Sequence, residues 1–330
     1  MTMAATTVSR LLPGVPPAHG AEHGGEWWQA WNFDPEVIVP VVLAGLLYVN
    51  GLRRWRDRSR SHPPWRTALY FGGLALLLLA VESPLDYLGE HHFTFHMAQH
   101  ELLLMLAVPM ILLGAPTTPS LLGMPRRLRM GVVRRLAGAE PVRRLYRFVT
   151  SPLIAVALLT ALLWAWHLAP GWYDAALENA LVHDLQHISY VVAGLLFWWN
   201  VIDPAPLKAR LPYPLRMAYL LIGGTPKHFL GALVTFADPL YDVYQEVEPV
   251  FALSVPDDQV IGGLIMWAWS QMMHLIVIAA VFFIWARRAE AEQQALDAGW
   301  EAADRPGGVA IEAVEVSDGG RVAGPGEGGD

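Results

Sequence analysis

Residues 259–286 read QVIGGLIMWAWSQMMHLIVIAAVFFIWA, a run without a single Asp, Glu, Lys or Arg. A helix crosses the hydrocarbon core of a bilayer in about 20 residues, so this run is long and apolar enough to span one. Six further apolar runs precede it, at 37–52, 67–83, 96–115, 152–168, 181–202 and 215–236. Lipid offers the backbone no hydrogen-bond partner, so runs this long read as helices rather than barrel strands. The expected fold is all-α: a polytopic membrane protein, a bundle of about seven transmembrane helices. Composition agrees. The 330 residues are 54% hydrophobic and 16% charged, with a mean hydropathy of +0.33. Soluble domains are about a quarter charged, which argues against a freely soluble enzyme.

Arginine and lysine set the orientation, because cytoplasmic loops carry the excess of positive charge. The first connection holds Arg53, Arg54, Arg56, Arg58, Arg60 and Arg66, and the third holds eight arginines from Arg126 to Arg147. Lys208 and Arg210, then Arg287 and Arg288, continue the pattern, whereas the second, fourth and sixth connections have no Lys or Arg. The N-terminus is therefore expected outside and the C-terminus in the cytoplasm. Residues 1–36 form an extracytoplasmic segment with no sign of a cleaved signal peptide. Residues 37–286 are the transmembrane domain, and 287–330 an acidic, disordered cytoplasmic tail. The tail holds four basic and ten acidic side chains, leaving the rest of the chain near neutral, which argues against nucleic-acid binding. In the third connection, MPRRLRMGVVRRLAGAEPVRRLYRF (124–148) interleaves arginine with apolar residues, as an interfacial helix on anionic lipid would.

Ionisable residues inside a membrane are costly and so point to function. His96 and His100, in HMAQH, lie one helical turn apart at the outer start of the third span, and His183 and His187 repeat that spacing in HDLQH at the start of the fifth. At about 1.5 Å per residue all four lie within roughly 12 Å of the outer boundary. His167 ends the fourth span on the same side. In the sixth, Gly223, Gly224 and Pro226 of GGTPKHFLG are expected to break or kink the helix, with His228 at the depth of the two pairs and Lys227 beside it. Deeper in the seventh, His274 shares a face with Met266, Ser270 and Met273.

Two histidines at i and i+4 offer two imidazoles to one metal ion. The candidate metal ligands are therefore His96, His100, His183, His187 and His228. His274, Met266 and Met273 form a possible second station, and Lys227 and Asp184 are candidate tuning residues. Interfacial histidines held by carboxylates and Tyr190 are the structural alternative. With no cysteine, thiolate chemistry is excluded, and imidazole with nearby thioether favours copper. Haem is the rival, but one helix cannot place both members of an i, i+4 pair on opposite faces of the same haem. The outer loops carry thirteen acidic or histidine side chains, from Glu82 to Asp258, and no basic one, so they should concentrate cations. His19, Glu22 and His23 could act as a loose capture arm, and Asp257 and Asp258 could cap the seventh span. No nucleophile elbow, P-loop or dinucleotide motif occurs, no substrate suggests itself, and the chain is not expected to be an enzyme.

The segments HMAQHELLLMLAVPMILLGAP (96–116), WHLAPGWYDAALENALVHDLQH (166–187), GTPKHFLGALVTFADPLYDVY (224–244) and DDQVIGGLIMW (257–267) resemble, in order, the membrane-spanning CtaG family of bacterial cytochrome c oxidase assembly factors. The similarity covers residues 37–286. It implies a multi-pass bacterial plasma-membrane protein that matures a haem-copper oxidase, at the stage of copper insertion. The implied partners are oxidase subunits, a copper donor and the bilayer. The family's histidine motifs fall on His96, His100, His183, His187 and His228, with Lys227 in the same segment. A haem-binding membrane redox protein, a metal-free assembly scaffold and, weakened by the lack of an internal repeat, a cation channel or transporter are the other functional classes the residues allow.

Overall fold

Seven long helices fall where the seven apolar runs lie. In the computed structural model, which describes residues 26–55, 62–203 and 206–303, these are α1 (Pro35–Arg54), α2 (Pro64–Glu82), α4 (Phe93–Leu113), α7 (Pro152–Leu168), α9 (Ala180–Trp198), α10 (Tyr213–Phe236) and α11 (Val255–Glu301). Shorter helices connect them: α3 (Pro84–His91), α5 (Thr117–Gly123), α6 (Glu140–Val149) and α8 (Trp172–Glu178). No strand occurs among the described residues.

Five helices, α1, α2, α4, α9 and α11, are long and apolar enough to cross a membrane, and a sixth span results if α6 and α7, which meet at 66°, count as one. This describes a multi-pass membrane protein. The seventh expected span, α10, forms as a helix but carries Arg216, Lys227 and the polar GGTPKH stretch, which dilute its apolar character. Of the break or kink expected at Gly223, Gly224 and Pro226, the break does not occur, since α10 runs unbroken from Tyr213 to Phe236. Neighbouring groups use the carbonyls near the proline: Thr225 Oγ1 donates to the Leu221 carbonyl at 2.7 Å and Trp164 Nε1 to the Pro226 carbonyl at 3.1 Å.

The helices bury unequally. α4 is 67% buried within the protein, against 17% for α1 and 22% for α2, which puts α4 at the centre of the bundle. The outer helices turn Val39, Leu43 and Leu46, or Leu181, Leu185 and Ile188, outward. Water would penalise so continuous an apolar exterior and lipid would not. Two of the long helices carry a π-turn, Leu102–Ala107 in α4 and Ile265–Trp269 in α11. In the first, Trp198 Nε1 donates to the Leu104 carbonyl at 2.7 Å. π-turns of this kind recur at functional sites, and this one begins directly after Glu101.

The chain divides into two compact units, Met1–Ala279 and Ala280–Asp330, and the histidines lie in the first. The expected tail begins as helix, which continues from Arg287 to Ala303, and the rest of it lies outside the described residues. The same holds for His19, Glu22 and His23.

Candidate metal centre

The site is built from helix starts. The first N–H groups of a helix lack partners within it. At α4 they are met by Asp258, whose carboxylate accepts from Phe93 N at 2.7 Å and Thr94 N at 2.9 Å, a contact that also complements the positive end of the helix dipole. Sequence reasoning assigned Asp257 and Asp258 to their own helix, α11. There Ser254 is the cap, accepting from Asp257 N, and Asp258 reaches across to α4 instead. At α9 the cap is Asn179, which accepts from Val182 N at 3.2 Å.

From these two starts the i, i+4 pairs project toward each other. Ring centroids lie 4.4 Å apart for His96–His100, 4.3 Å for His183–His187, 5.3 Å for His100–His187 and 5.3 Å for His96–His183. All four residues are buried. His96, His100 and His187 each offer a nitrogen such that the three atoms lie within 4.8 Å of one another. Three imidazole nitrogens at about 2.0 Å from one ion are themselves about 3.5 Å apart, so a small rotation of the rings would close the trio on a metal. His183 flanks it. So does His167 of α7, with its ring centroid 6.2 Å from that of His100, a residue sequence reasoning placed at this depth without counting it among the ligands.

Hydrogen bonds decide which nitrogens face the trio. His167 Nδ1 lies 2.8 Å from the Leu163 carbonyl, which can only accept, so Nδ1 carries the proton and Nε2 a lone pair. That Nε2 is buried without a hydrogen-bond partner. Neither ring nitrogen of His100 has one either. His96 is wired from outside: Tyr244 donates to the Gly89 carbonyl at 2.9 Å, the Tyr173 and Tyr244 hydroxyls are 3.0 Å apart, and Tyr173 lies 3.0 Å and Tyr244 3.3 Å from His96 Nδ1. Gly89 fixes the direction of this chain. Tyr244 spends its proton there, Tyr173 donates to Tyr244, and His96 Nδ1–H donates to Tyr173. That leaves the lone pair on His96 Nε2, with the buried Gln186 side chain beside the ring. Carbonyl- or hydroxyl-held imidazoles with the other nitrogen free are the usual arrangement of metal-binding histidine.

Tyr173 and Tyr244, with Tyr241 stacked on Tyr173 at 3.9 Å, roof the histidines from α8 and from the connection before α11. Burial raises all three hydroxyls well above their usual pKa range, so they stay protonated and keep donating. Sequence reasoning missed them, because nothing local marks a tyrosine that pairs with a histidine more than seventy positions away.

His228 does not join the trio. It pairs with His274 of α11, ring centroids 5.1 Å apart, over Gly224, where an added Cβ would meet His228 Cε1 at 3.1 Å and His274 Nε2 at 3.2 Å. Depth arithmetic placed it level with the pairs but could not give its direction around the helix. His274 Nδ1 faces the Ser270 carbonyl at 2.8 Å. Met266 is buried against Gly231, Met273 is half-buried on the same helix, and Asp184 is half-buried beside His183. Lys227 forms a buried ion pair with Glu101, the residue after His100.

The acids of the connections without Lys or Arg divide in two. Glu82, Asp86, Glu90 and Asp258 are buried, with Asp86 accepting from Asn32 and Gln99. Glu178, Asp238, Asp242, Glu246 and Glu248 remain exposed. Burial, then repulsion from Asp242 and Glu246, raises the pKa of Asp174, and burial, then Asp174 and Glu246, raises that of Glu178.

A family model described as cytochrome c oxidase caa3 assembly factor (Caa3_CtaG) matches residues 46–288. Uncharacterized proteins of Mycobacterium bovis and Mycobacterium tuberculosis are each 30% identical over 267 residues, covering 78% of this chain and 40% of theirs. One of Mycobacterium leprae is 28% identical over 278 residues, covering 79% and 40%. The chain thus spans about two fifths of the length of these relatives. No solved structure matches it.

Proposed function

Because the chain belongs to the family of cytochrome c oxidase caa3 assembly factors, we propose that it holds Cu(I) near the outer face of the bacterial plasma membrane and passes it to an oxidase subunit by ligand exchange. The observation that carries this reading is the buried trio of His96, His100 and His187, whose ligand atoms lie within 4.8 Å of one another. His183 and His167 stand beside it as exchange partners through which the ion enters or leaves. Imidazole also suits Zn, Fe and Ni, and copper is preferred because it is the metal an oxidase centre requires. In this reading seven helices cross the membrane, with the N-terminus outside, and the exposed acids gather the ion from a copper donor. His228 and His274, with Met266 and Met273, make a second station nearer the membrane centre, while Lys227 and Asp184 tune the charge around the ions. Rings packed edge to face at 4.4–5.3 Å favour a small ion over a haem macrocycle.

The test is made in a bacterium whose own copy is deleted. Complementation with H100Q/H187Q, at normal protein abundance, should yield oxidase with depleted copper. Oxidase with full copper in that strain would favour a metal-free scaffold, and a Soret band in the purified protein would favour haem.

A further inference from the structure

α6 has two chemically distinct faces. At about 100° per residue, Val142, Leu145, Phe148 and Val149 fall on one side, and Arg143, Arg144 and Arg147 with Glu140 on the other. Both faces are open, with Leu145 61% and Phe148 59% exposed. Glu140, the single acid of the helix, is engaged by Arg144 and Arg147 at 3.0 Å each, so a net positive charge remains. The preceding stretch repeats the pattern, exposing Leu128, Met130, Val132 and Leu136 among its arginines.

The helix is also held in a definite place. Trp199 Nε1 donates to the Tyr146 hydroxyl at 3.1 Å, and Arg210 Nη1 donates to the Arg147 carbonyl at 2.8 Å. These contacts tie α6 to the end of α9 and the connection after it, the arginine-bearing end of the bundle. α6 meets α7 at 66°, so when α7 stands across the membrane α6 lies closer to the membrane plane than to its normal.

An apolar face turned one way, arginines turned the other, a tilt toward the plane and anchorage at a span end describe a helix seated in a bilayer surface. We infer that α6 and the stretch before it form a cytoplasmic-leaflet platform that takes anionic lipid: the apolar face enters the acyl boundary and the arginines engage headgroup phosphates. Arginine suits phosphate by its planar fork of donors. This surface is independent of the metal centre, and neither proposal needs the other.

The chain has no cysteine, so L145C and R144C each accept a single environment-sensitive dye. The full chain is placed in nanodiscs of phosphatidylcholine, alone or mixed with phosphatidylglycerol. The dye at 145 should emit to the blue of the dye at 144 and be shielded from iodide, and phosphatidylglycerol should deepen that shielding. At about fivefold per basic residue near a charged surface, R143Q/R147Q in the L145C chain should lower the bound-to-free ratio of the helix by on the order of 25-fold in the mixed lipid. Equal quenching at 144 and 145, shielding indifferent to phosphatidylglycerol, or shielding that arises only on adding oxidase subunits would each overturn the inference, the last by giving the surface to a protein partner. Circular dichroism of each labelled chain confirms that the helices persist.

Discussion

Two regions of this protein bury histidine against tyrosine, and they differ in one respect. At the arginine-bearing end, Tyr48 donates to the Gly114 carbonyl at 3.0 Å, and the buried His62 meets the Tyr48 hydroxyl through Nε2 at 2.8 Å. Tyr48 has spent its proton on Gly114, so His62 Nε2–H is the donor and that nitrogen is satisfied. At the other end, the same combination of a carbonyl and tyrosine hydroxyls engages His96 Nδ1, and beside it neither nitrogen of His100 nor Nε2 of His167 has a hydrogen-bond partner. A buried histidine is thus no signal by itself. A buried histidine nitrogen without a partner is, because leaving a polar atom unpaired in the interior costs free energy that something else must recover.

The sharpest way to break this comparison is to remove nitrogens from each end. H96Q/H100Q/H187Q should abolish copper binding, whereas H62Q should leave copper unchanged and lower stability by about 1–3 kcal/mol, read from thermal unfolding in detergent. Equal copper loss from both variants would erase the distinction.

Next in size is the ion pair under the trio. K227M leaves the Glu101 charge buried and alone, and should destabilise by about 3–5 kcal/mol. E101Q/K227M, which removes both charges, should recover much of that. A double variant as unstable as the single would show that the pair is not coupled. This pair sits on α4 and α10, and its partnership could not be foreseen from either segment alone.

Legibility in the sequence follows the same division. Helices were legible because apolar runs report them directly, and the i, i+4 pairs because helical spacing puts 96 above 100 and 183 above 187 on one face. Direction around a helix was not. His228 has the expected depth but turns toward His274, since rise per residue fixes height and leaves azimuth to packing. Pro226 was expected to break or kink α10, and the helix runs unbroken through it. Asp258 was read as a cap for its own helix and caps α4, a choice made by tertiary packing. The wiring of His96 by Tyr173 and Tyr244 was invisible for the same reason.

That wiring yields a smaller effect. Y173F removes the nearer of the two hydroxyls that hold His96 Nδ1–H, leaving Tyr244 at 3.3 Å. Loss of such a supporting hydrogen bond weakens metal affinity by about 10–100-fold. Y48F, the matching change at the His62 end, should not alter it. A competition titration with a Cu(I) chelator reads both, and equal affinities across native, Y173F and Y48F proteins would remove the tyrosine roof from the site.

The smallest effect concerns pH. The pKa of Asp174 is raised in the folded protein, so the protein is stabilised by its protonation, and that contribution is lost as pH rises through the folded pKa. The roof formed by α8 should therefore tighten on acidification, seen as slower amide exchange over 172–178. D174N should mimic the protonated form, slowing exchange at neutral pH with little further change in acid. Exchange that quickens on acidification, once corrected for intrinsic rates, would contradict the assignment.

The central claim is most directly tested by elemental analysis of the detergent-purified chain after Cu(I) loading, comparing native protein with H96Q/H100Q/H187Q. The account predicts copper retained by the native chain at about one equivalent per trio, as three imidazoles complete one site, and lost from a variant that still folds. Equal copper in both, or none in either, would contradict it.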